Sequence, residues 1–389
     1  MRNVGASALT LSLLVAGSAS AQTFGEDVAF LKSRTSVVVL TDGKTGARVA
    51  VCPDLQGRVM TSSARGEAGP SFGWINRELL ASGKPDPHFN AYGGEDRFWL
   101  GPEAGQFGLF FKKGDPFDLA HWHTPAAIDT EPYPVRESAP DRVSFRKPMS
   151  LINYSGASFD LRLDRTVKLL AASEALAALG AGDAKGLEVV AYESENRIEN
   201  TGASAWRKET GLISVWILGM FKPSPTTTVI VPFEPIGKGP LVNDAYFGKV
   251  PADRLVMRGK TLFFRGDGLF RSKIGLPPGR AKSVLGSYEA AGRVLTLVEF
   301  TLPKDATDYV NSMWEIQAAP YGGDVSNSYN DGPPAPGAKG LGPFYELETS
   351  SPAAALGPGQ ALVHRHRTLH LVGDEAALDR VTRQVLGTS

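Results

Sequence analysis

Read for its alternation of apolar and polar positions, the chain is dominated by short extended segments. The clearest is 159–169, where Phe159, Leu161, Leu163, Val167 and Leu169 share one phase of a two-residue period, with Asp160, Arg162, Asp164 and Lys168 between them. This pattern predicts a strand with one face in a core, broken only at Arg165. Further strand-like runs fall at 36–40, 48–52, 187–198, 212–218, 227–233, 261–264, 294–302 and 362–372, separated by turn residues such as Asn200-Thr201-Gly202 and Asp267-Gly268. They do not alternate with helical periods long enough to cover a parallel sheet. A short polar helix is expected near 27–32. Another is expected at the C-terminus, where Asp374 can cap a segment burying Leu378, Val381, Val385 and Leu386. The Ala- and Gly-rich stretch 171–186 reads as a surface excursion. The pattern predicts an all-β protein, one large antiparallel sandwich over 22–389 with a short C-terminal helix.

Composition narrows the classes. Lysine plus arginine equals aspartate plus glutamate, at 41 each, and no basic run carries interleaved aromatics, which disfavours a nucleic-acid partner. The single cysteine, Cys52, follows Val49-Ala50-Val51, reads as a buried strand thiol and excludes an intramolecular disulfide. At the N-terminus Arg2, the apolar run 8–15 and Ala19-Ser20-Ala21 read as an export signal over 1–21, with the mature chain starting at Gln22. That run is too short to span a bilayer, and nothing later approaches about 18 uninterrupted apolar residues. The expectation is an exported protein, periplasmic or secreted, without a membrane span.

Candidate chemistry falls in four places. In Phe344-Tyr345-Glu346-Leu347-Glu348-Thr349 a strand period puts Glu346 and Glu348 on one face, where neighbouring carboxyls shift each other's pKa and one can be tuned as a proton acceptor. The same spacing is also the ordinary wet face of a half-buried strand. Between 72 and 111, aromatic, glycine and charged residues crowd together: Asn76, Arg77, His88, Tyr92, Gly93-Gly94, Glu95, Asp96, Arg97, Trp99 and Glu103. Aromatic faces beside carboxylates and guanidinium groups suit a sugar, and equally suit a loop packed on its own rings. Of the six histidines, His121 and His123, and likewise His364 and His366 continued by His370, would share a side of an extended segment. Such a pair could share a metal, but a site also needs a third ligand of suitable type and geometry, and with no paired cysteine ligands no transition-metal site is assigned. Asp324, Asn327, Asn330 and Asp331 are oxygen ligands of the kind calcium accepts, without the twelve-residue loop spacing; they equally suit sugar hydroxyls or side-chain turns. The segment from Glu199 through Trp206 to Trp216 reads as a hairpin with core aromatics. Serine-hydrolase elbows, phosphate loops and dinucleotide fingerprints are absent.

The order of these features resembles the galactose mutarotase-like, or aldose 1-epimerase, superfamily. Asn76-Arg77 followed by Gly93-Gly94 and Trp99 is similar to its early Asn-Arg and His-Gly-Gly region. The 199–216 segment is similar to its central part. Leu347-Glu348-Thr349 with Pro358-Gly359 and a final strand is similar to its closing Leu-Glu-Thr and Pro-Gly motif. The resemblance implies an antiparallel β-supersandwich binding sugars in an open cleft, with Glu348 as catalytic base. Two departures stand out. Tyr92 replaces the histidine before the glycine pair, and no histidine falls near 214–216, where the family places its general acid. Loss of that acid would lower a mutarotation rate roughly 10²–10⁴-fold, so His88, His121 or His123 would have to substitute from across the cleft. Hydrolysis would instead need a second carboxylate, for which Glu95, Asp96, Glu103 or Glu315 are candidates. The function expected is carbohydrate binding, of a mono- or oligosaccharide, with epimerase-like, lyase or hydrolase chemistry. A binding protein without turnover and a structural module of the envelope are the competing readings.

Overall fold

The computed structural model describes residues 22–182, 185–237 and 239–388; the export signal expected at 1–21 lies outside them. The first nine strands are β1 (Val38–Thr41), β2 (Arg48–Cys52), β3 (Arg58–Ser63), β4 (Arg97–Gly101), β5 (Val135–Ala139), β6 (Arg142–Ile152), β7 (Ser158–Leu170), β8 (Leu187–Asn200) and β9 (Ser214–Phe221). They are followed by β10 (Thr227–Pro232), β11 (Leu255–Arg258), β12 (Thr261–Arg265), β13 (Ser272–Leu276), β14 (Val284–Glu289), β15 (Val294–Phe300), β16 (Ser326–Asn330), β17 (Tyr345–Ser350) and β18 (Ala361–Gly373). All pair antiparallel, in a sheet β1-β2-β3, a ten-stranded sheet β11-β12-β10-β14-β15-β18-β8-β7-β6-β5 and a five-stranded sheet β13-β16-β17-β9-β4. This is the large antiparallel sandwich the sequence predicts.

The alternation read at 159–169 is realised in β7, whose odd-numbered residues are buried. Leu163, Val167 and Ile198 of the ten-stranded sheet pack against Phe98, Leu100, Ile217 and neighbours of the five-stranded sheet. At the other end Val229, Phe264, Leu285 and Val298 meet Ile274, Tyr345 and Leu347. Arg165 breaks the apolar phase because a second charge is buried with it. Its guanidinium pairs with Asp96 at 2.7 Å, and both side chains are fully buried. It also donates to Asn196 and to the Gly57 carbonyl, so the buried fork is compensated on several sides.

Helices add to the strands. Helix α1 (Phe24–Lys32) starts earlier than its polar pattern suggests, because Thr23 and Glu26 close a reciprocal capping box. Two shorter helices are α2 (Arg77–Ser82) and α3 (Ala126–Asp129). Within the expected surface excursion lies α4 (Ala172–Ala178), which buries Ala175 and Leu176; alanine-rich segments form helix readily once a face can be buried. With α5 (Glu375–Leu386) it covers the outer face of the ten-stranded sheet, placing Leu378, Val381 and Leu386 on Leu295, Leu297, Leu369 and Leu371. Asp374 is the N-cap residue of α5 but its side chain makes no capping hydrogen bond. The expected 199–216 hairpin does not form: β8 pairs with β7 and β18, β9 with β4 and β17. The connection between them carries the chain from one layer to the other, and adjacency in sequence misled the reading.

Candidate functional site

The five-stranded sheet turns one face to the ten-stranded sheet and the other to a cleft. Cross-strand register assembles that second face. Arg97 of β4 stands opposite Leu218 of β9, which stands opposite Glu348 of β17, then Asn327 of β16 and Gly275 of β13. The neighbouring row is Met220, Glu346, Tyr329 and Lys273, and on the other side Trp99 faces Trp216. With a two-residue period, all of these point the same way. Leu347, between the two glutamates, joins the sandwich core.

Loops from four parts of the chain wall a cavity of about 160 Å³ over this floor, bringing in Glu103, Trp122, Trp314, Asp331 and Phe344. Exposed Leu119, Phe247 and Leu341 form an apolar rim. Trp99 meets Trp216 edge-on at 5.4 Å, and Trp122 packs against Trp314 at 5.7 Å. A second cavity of about 300 Å³, adding Tyr246, Ser312 and Glu315, shares Glu103, Arg271, Lys273 and Trp314 with the first. A larger depression of about 560 Å³ beside Thr23 and Arg293 has no aromatic lining and no clustered carboxyls.

The glutamates predicted to share a face do so, but not on a wet one. Glu348 is fully buried beneath the floor, accepting from Trp216 Nε1 at 2.9 Å and pairing with Lys273 Nζ at 2.8 Å, while its Oε1 has no protein partner. Glu346 is 6 % exposed and does line the cleft, with Arg97 at 3.4 Å. Burial pushes its pKa up, the neighbouring Glu348 carboxylate adds to the rise, and Arg97 and Lys273 pull back. Glu103 is raised to about 7, again first by burial, with Lys273 and the Trp314 indole N–H opposing. Asp331 is raised by burial while accepting from Tyr329 Oη and the Gly342 amide. Arg97 lies over the Trp99 ring at 3.9 Å and Lys273 over Trp216 at 5.0 Å, so both cations are held by rings as well as by carboxylates.

Of the residues singled out from sequence, Arg97, Glu103, Glu346 and Glu315 line these cavities, and Glu348 lies directly beneath. Others are placed elsewhere. Glu95 is fully buried between the sheets, bonded to Ser62, Tyr192 and His370. Asp96 is taken by Arg165. These two adjacent acids point into the sandwich because the bend entering β4 precedes the strand whose alternate residues face the cleft. Asn76 caps α2, accepting from the Leu79 amide at 3.0 Å, and Arg77 pairs with Asp27 over the Phe30 ring. Tyr92 lies beneath Arg58.

The paired glycines, at φ +92° and +105°, serve chain packing: a Cβ on Gly93 would collide with the Trp74 carbonyl. His88 and His123 stack on each other at 4.0 Å and bond the Trp122 and Pro87 carbonyls. His121 pairs with Asp118 at the surface. The segment 121–123 is a loop, so the strand-face reading of these histidines does not hold there. It does hold in β18, where His364 and His366 flank the Thr349 hydroxyl at 2.9 Å each and His370 meets Glu95, all inside the sandwich. None of the six histidines lines the cleft. The residues considered for calcium separate: Asp324 and Asn327 both bond Tyr246, whereas Asn330 points to the opposite face of β16 and holds the Gly268 amide.

Sequence reasoning missed Lys273, Arg271, Tyr246 and Phe247. Lys273 carried a signal, the polar phase of Ser272–Leu276, but nothing in the sequence announces that this strand lies two away from β17.

Comparison with solved structures places the fold. The putative aldose 1-epimerase b2544 from Escherichia coli K12 superposes with a TM-score of 0.50 at 12% identity, covering 87% of this chain and 100% of that one. A galactose mutarotase-like protein from Lactobacillus casei is similar at TM-score 0.49 and 10% identity, over 86% and 100% of the two chains. The Slr1438 protein from Synechocystis sp. PCC 6803 is similar at TM-score 0.49 and 13% identity, over 88% and 97%. The fold is thus the large antiparallel sandwich seen in the putative aldose 1-epimerase structure. No curated protein matches the sequence. Residues 22–389 match one family throughout, and the chain belongs to it: the Family of unknown function (DUF6786).

Proposed function

We propose that this protein is an exported carbohydrate-active protein that binds a sugar in the aromatic cleft over the five-stranded sheet and exchanges protons with it through Glu346 and Glu103. The observation that carries this reading is the cleft itself: tryptophan faces walling a cavity lined by two pKa-raised carboxyls, the buried Glu346 and the half-buried Glu103. Rings take the apolar faces of a sugar, and groups whose pKa lies near neutrality donate and accept protons there. Glu346, held protonated by burial and by Glu348, is the proton donor. Glu103, near half-ionised at neutral pH, is the acceptor. Glu348, expected from sequence to be the base, acts from beneath by raising Glu346, because its carboxylate is enclosed by Trp216 and Lys273. Export rests on the signal-like sequence 1–21.

The sealed position of Glu348 and the lack of a histidine in the cleft favour a second reading, a binding protein without turnover. An NMR panel of sugars with wild type, Glu346→Gln and Glu103→Gln separates the two. Anomeric exchange or product formation lost in both variants supports catalysis. Saturable binding with no turnover of any bound sugar sinks the enzymatic role, and absence of binding sinks the cleft assignment.

A further inference from the structure

We infer that the cleft takes a glycan of more than one sugar unit bearing an oxyanion substituent, such as a uronate carboxylate, and that Arg271 recognises that charge; this rests on the sugar-binding reading above. Arg271 lies in the wall common to the two cavities. Its guanidinium is stacked on the Phe247 ring at 3.9 Å, which fixes the plane and leaves the N–H fork at its edge free to bind a planar or tetrahedral oxyanion. The other cations of the floor are committed, Arg97 to Glu346 and Lys273 to Glu348. Arg271 has no ion pair or side-chain hydrogen bond among the described residues, and Lys339, on the loop opposite, has no ion pair.

Of the four acids among the described residues that line the two cavities, Glu315 is exposed to solvent and makes no ion pair with Arg271, and the other three are weakened for the task of neutralising this end. Asp331 is engaged by Tyr329 and the Gly342 amide. Glu103 and Glu346 are held toward their neutral forms by burial. A cavity with fixed, unspent positive charge favours an anionic ligand over a neutral one. Because Arg271 borders cavities of about 160 and about 300 Å³, a ligand anchored on it has room to run from the tryptophan-lined cavity into the second, which a single sugar unit would not fill.

The test is titration calorimetry on the intact protein. The ligands are trisaccharides of galacturonate, glucuronate, mannuronate and guluronate, their methyl esters, the corresponding monosaccharides, and sulfated and phosphorylated forms of a neutral trisaccharide. Wild type is compared with Arg271→Ala and Arg271→Lys, with thermal melts to verify folding. One charged form should bind at least about tenfold tighter than its uncharged counterpart. The advantage should shrink with salt, disappear in Arg271→Ala and survive in part in Arg271→Lys, with the uncharged counterpart losing less affinity than the charged form in both variants. A sulfated or phosphorylated sugar winning over every uronate supports the oxyanion site and names its source. Equal affinity for charged and uncharged forms, or a preference unchanged by Arg271→Ala, overturns the inference and leaves the sugar reading standing. A monosaccharide binding as tightly as its trisaccharide overturns the extended ligand. Failure of every sugar to bind overturns both.

Discussion

Glu346 and Glu348 are two positions apart on one strand, yet their side chains have different work. Glu348 is enclosed with Lys273 and Trp216, so Lys273→Met would leave a buried carboxylate without its cation. Such removals cost about 3–5 kcal/mol. Adding Glu348→Gln should recover part of that loss, and urea melts of the two single variants and the double variant measure the coupling. Glu346 faces the cleft with a raised pKa, and a carboxyl so raised is more stable protonated in the folded state than in the unfolded one. Glu346→Gln should therefore melt no lower than wild type at neutral pH while losing about 10²–10⁴-fold in turnover. If turnover is found, its pH profile should be bell-shaped. The acid limb should lie near pH 7, where Glu103 gains its proton, and the alkaline limb should appear as Glu346 loses its own. A profile that stays bell-shaped in Glu103→Gln would show that another group is the base.

At the scale of elements, the strands carry chemistry on one face and stability on the other. Even-numbered residues of β18 from His364 to His370 look into the sandwich, and Leu369 and Leu371 look out beneath α5. Arg165 of β7 reaches Asp96 just before β4 and so ties the ten-stranded sheet to the strand that supplies Arg97 and Trp99. Asp96→Ala should destabilise by about 3–5 kcal/mol, because it leaves a fully buried guanidinium without its counter-charge. By contrast Leu378→Ala, in α5 on the far side of the ten-stranded sheet, should cost about 2–5 kcal/mol of stability and leave ligand affinity unchanged. Calorimetric melting with a ligand titration alongside checks both.

For the molecule as a whole, the buried polar layer between the sheets ties stability to pH. Burial depresses His364 to about 3 and His366 to about 4 from an ordinary 6.5, against an upward pull from the Asp96 carboxylate on both. Below pH 6.5 the unfolded chain binds protons that the native state cannot, so stability present above that pH is lost as pH falls toward 4. The expected slope is about 1.4 kcal/mol per pH unit for each group. Urea midpoints should drop between pH 6.5 and 5, and His366→Gln should flatten the drop. A pH-independent midpoint over that range would mean the two imidazoles do not stay neutral in the native state.

Local periodicity by itself determined the antiparallel all-β character, most strand positions, the terminal helix and the common face of Glu346 and Glu348, because a two-residue period is a property of the backbone and needs no partner. It also flagged Arg165 as the break in β7, without saying what it pairs with. Which strands lie side by side was decided only by the tertiary structure. The register that brings Lys273, Tyr329, Glu346 and Trp216 to one surface links residues that are distant in sequence. Burial decided the rest: it turned Glu95, Asp96 and the β18 histidines from candidate ligands into interior partners. It also set Glu346 apart from Glu348, since a carboxyl's role depends on the charges and the solvent around it, which the spacing of residues along a strand does not contain.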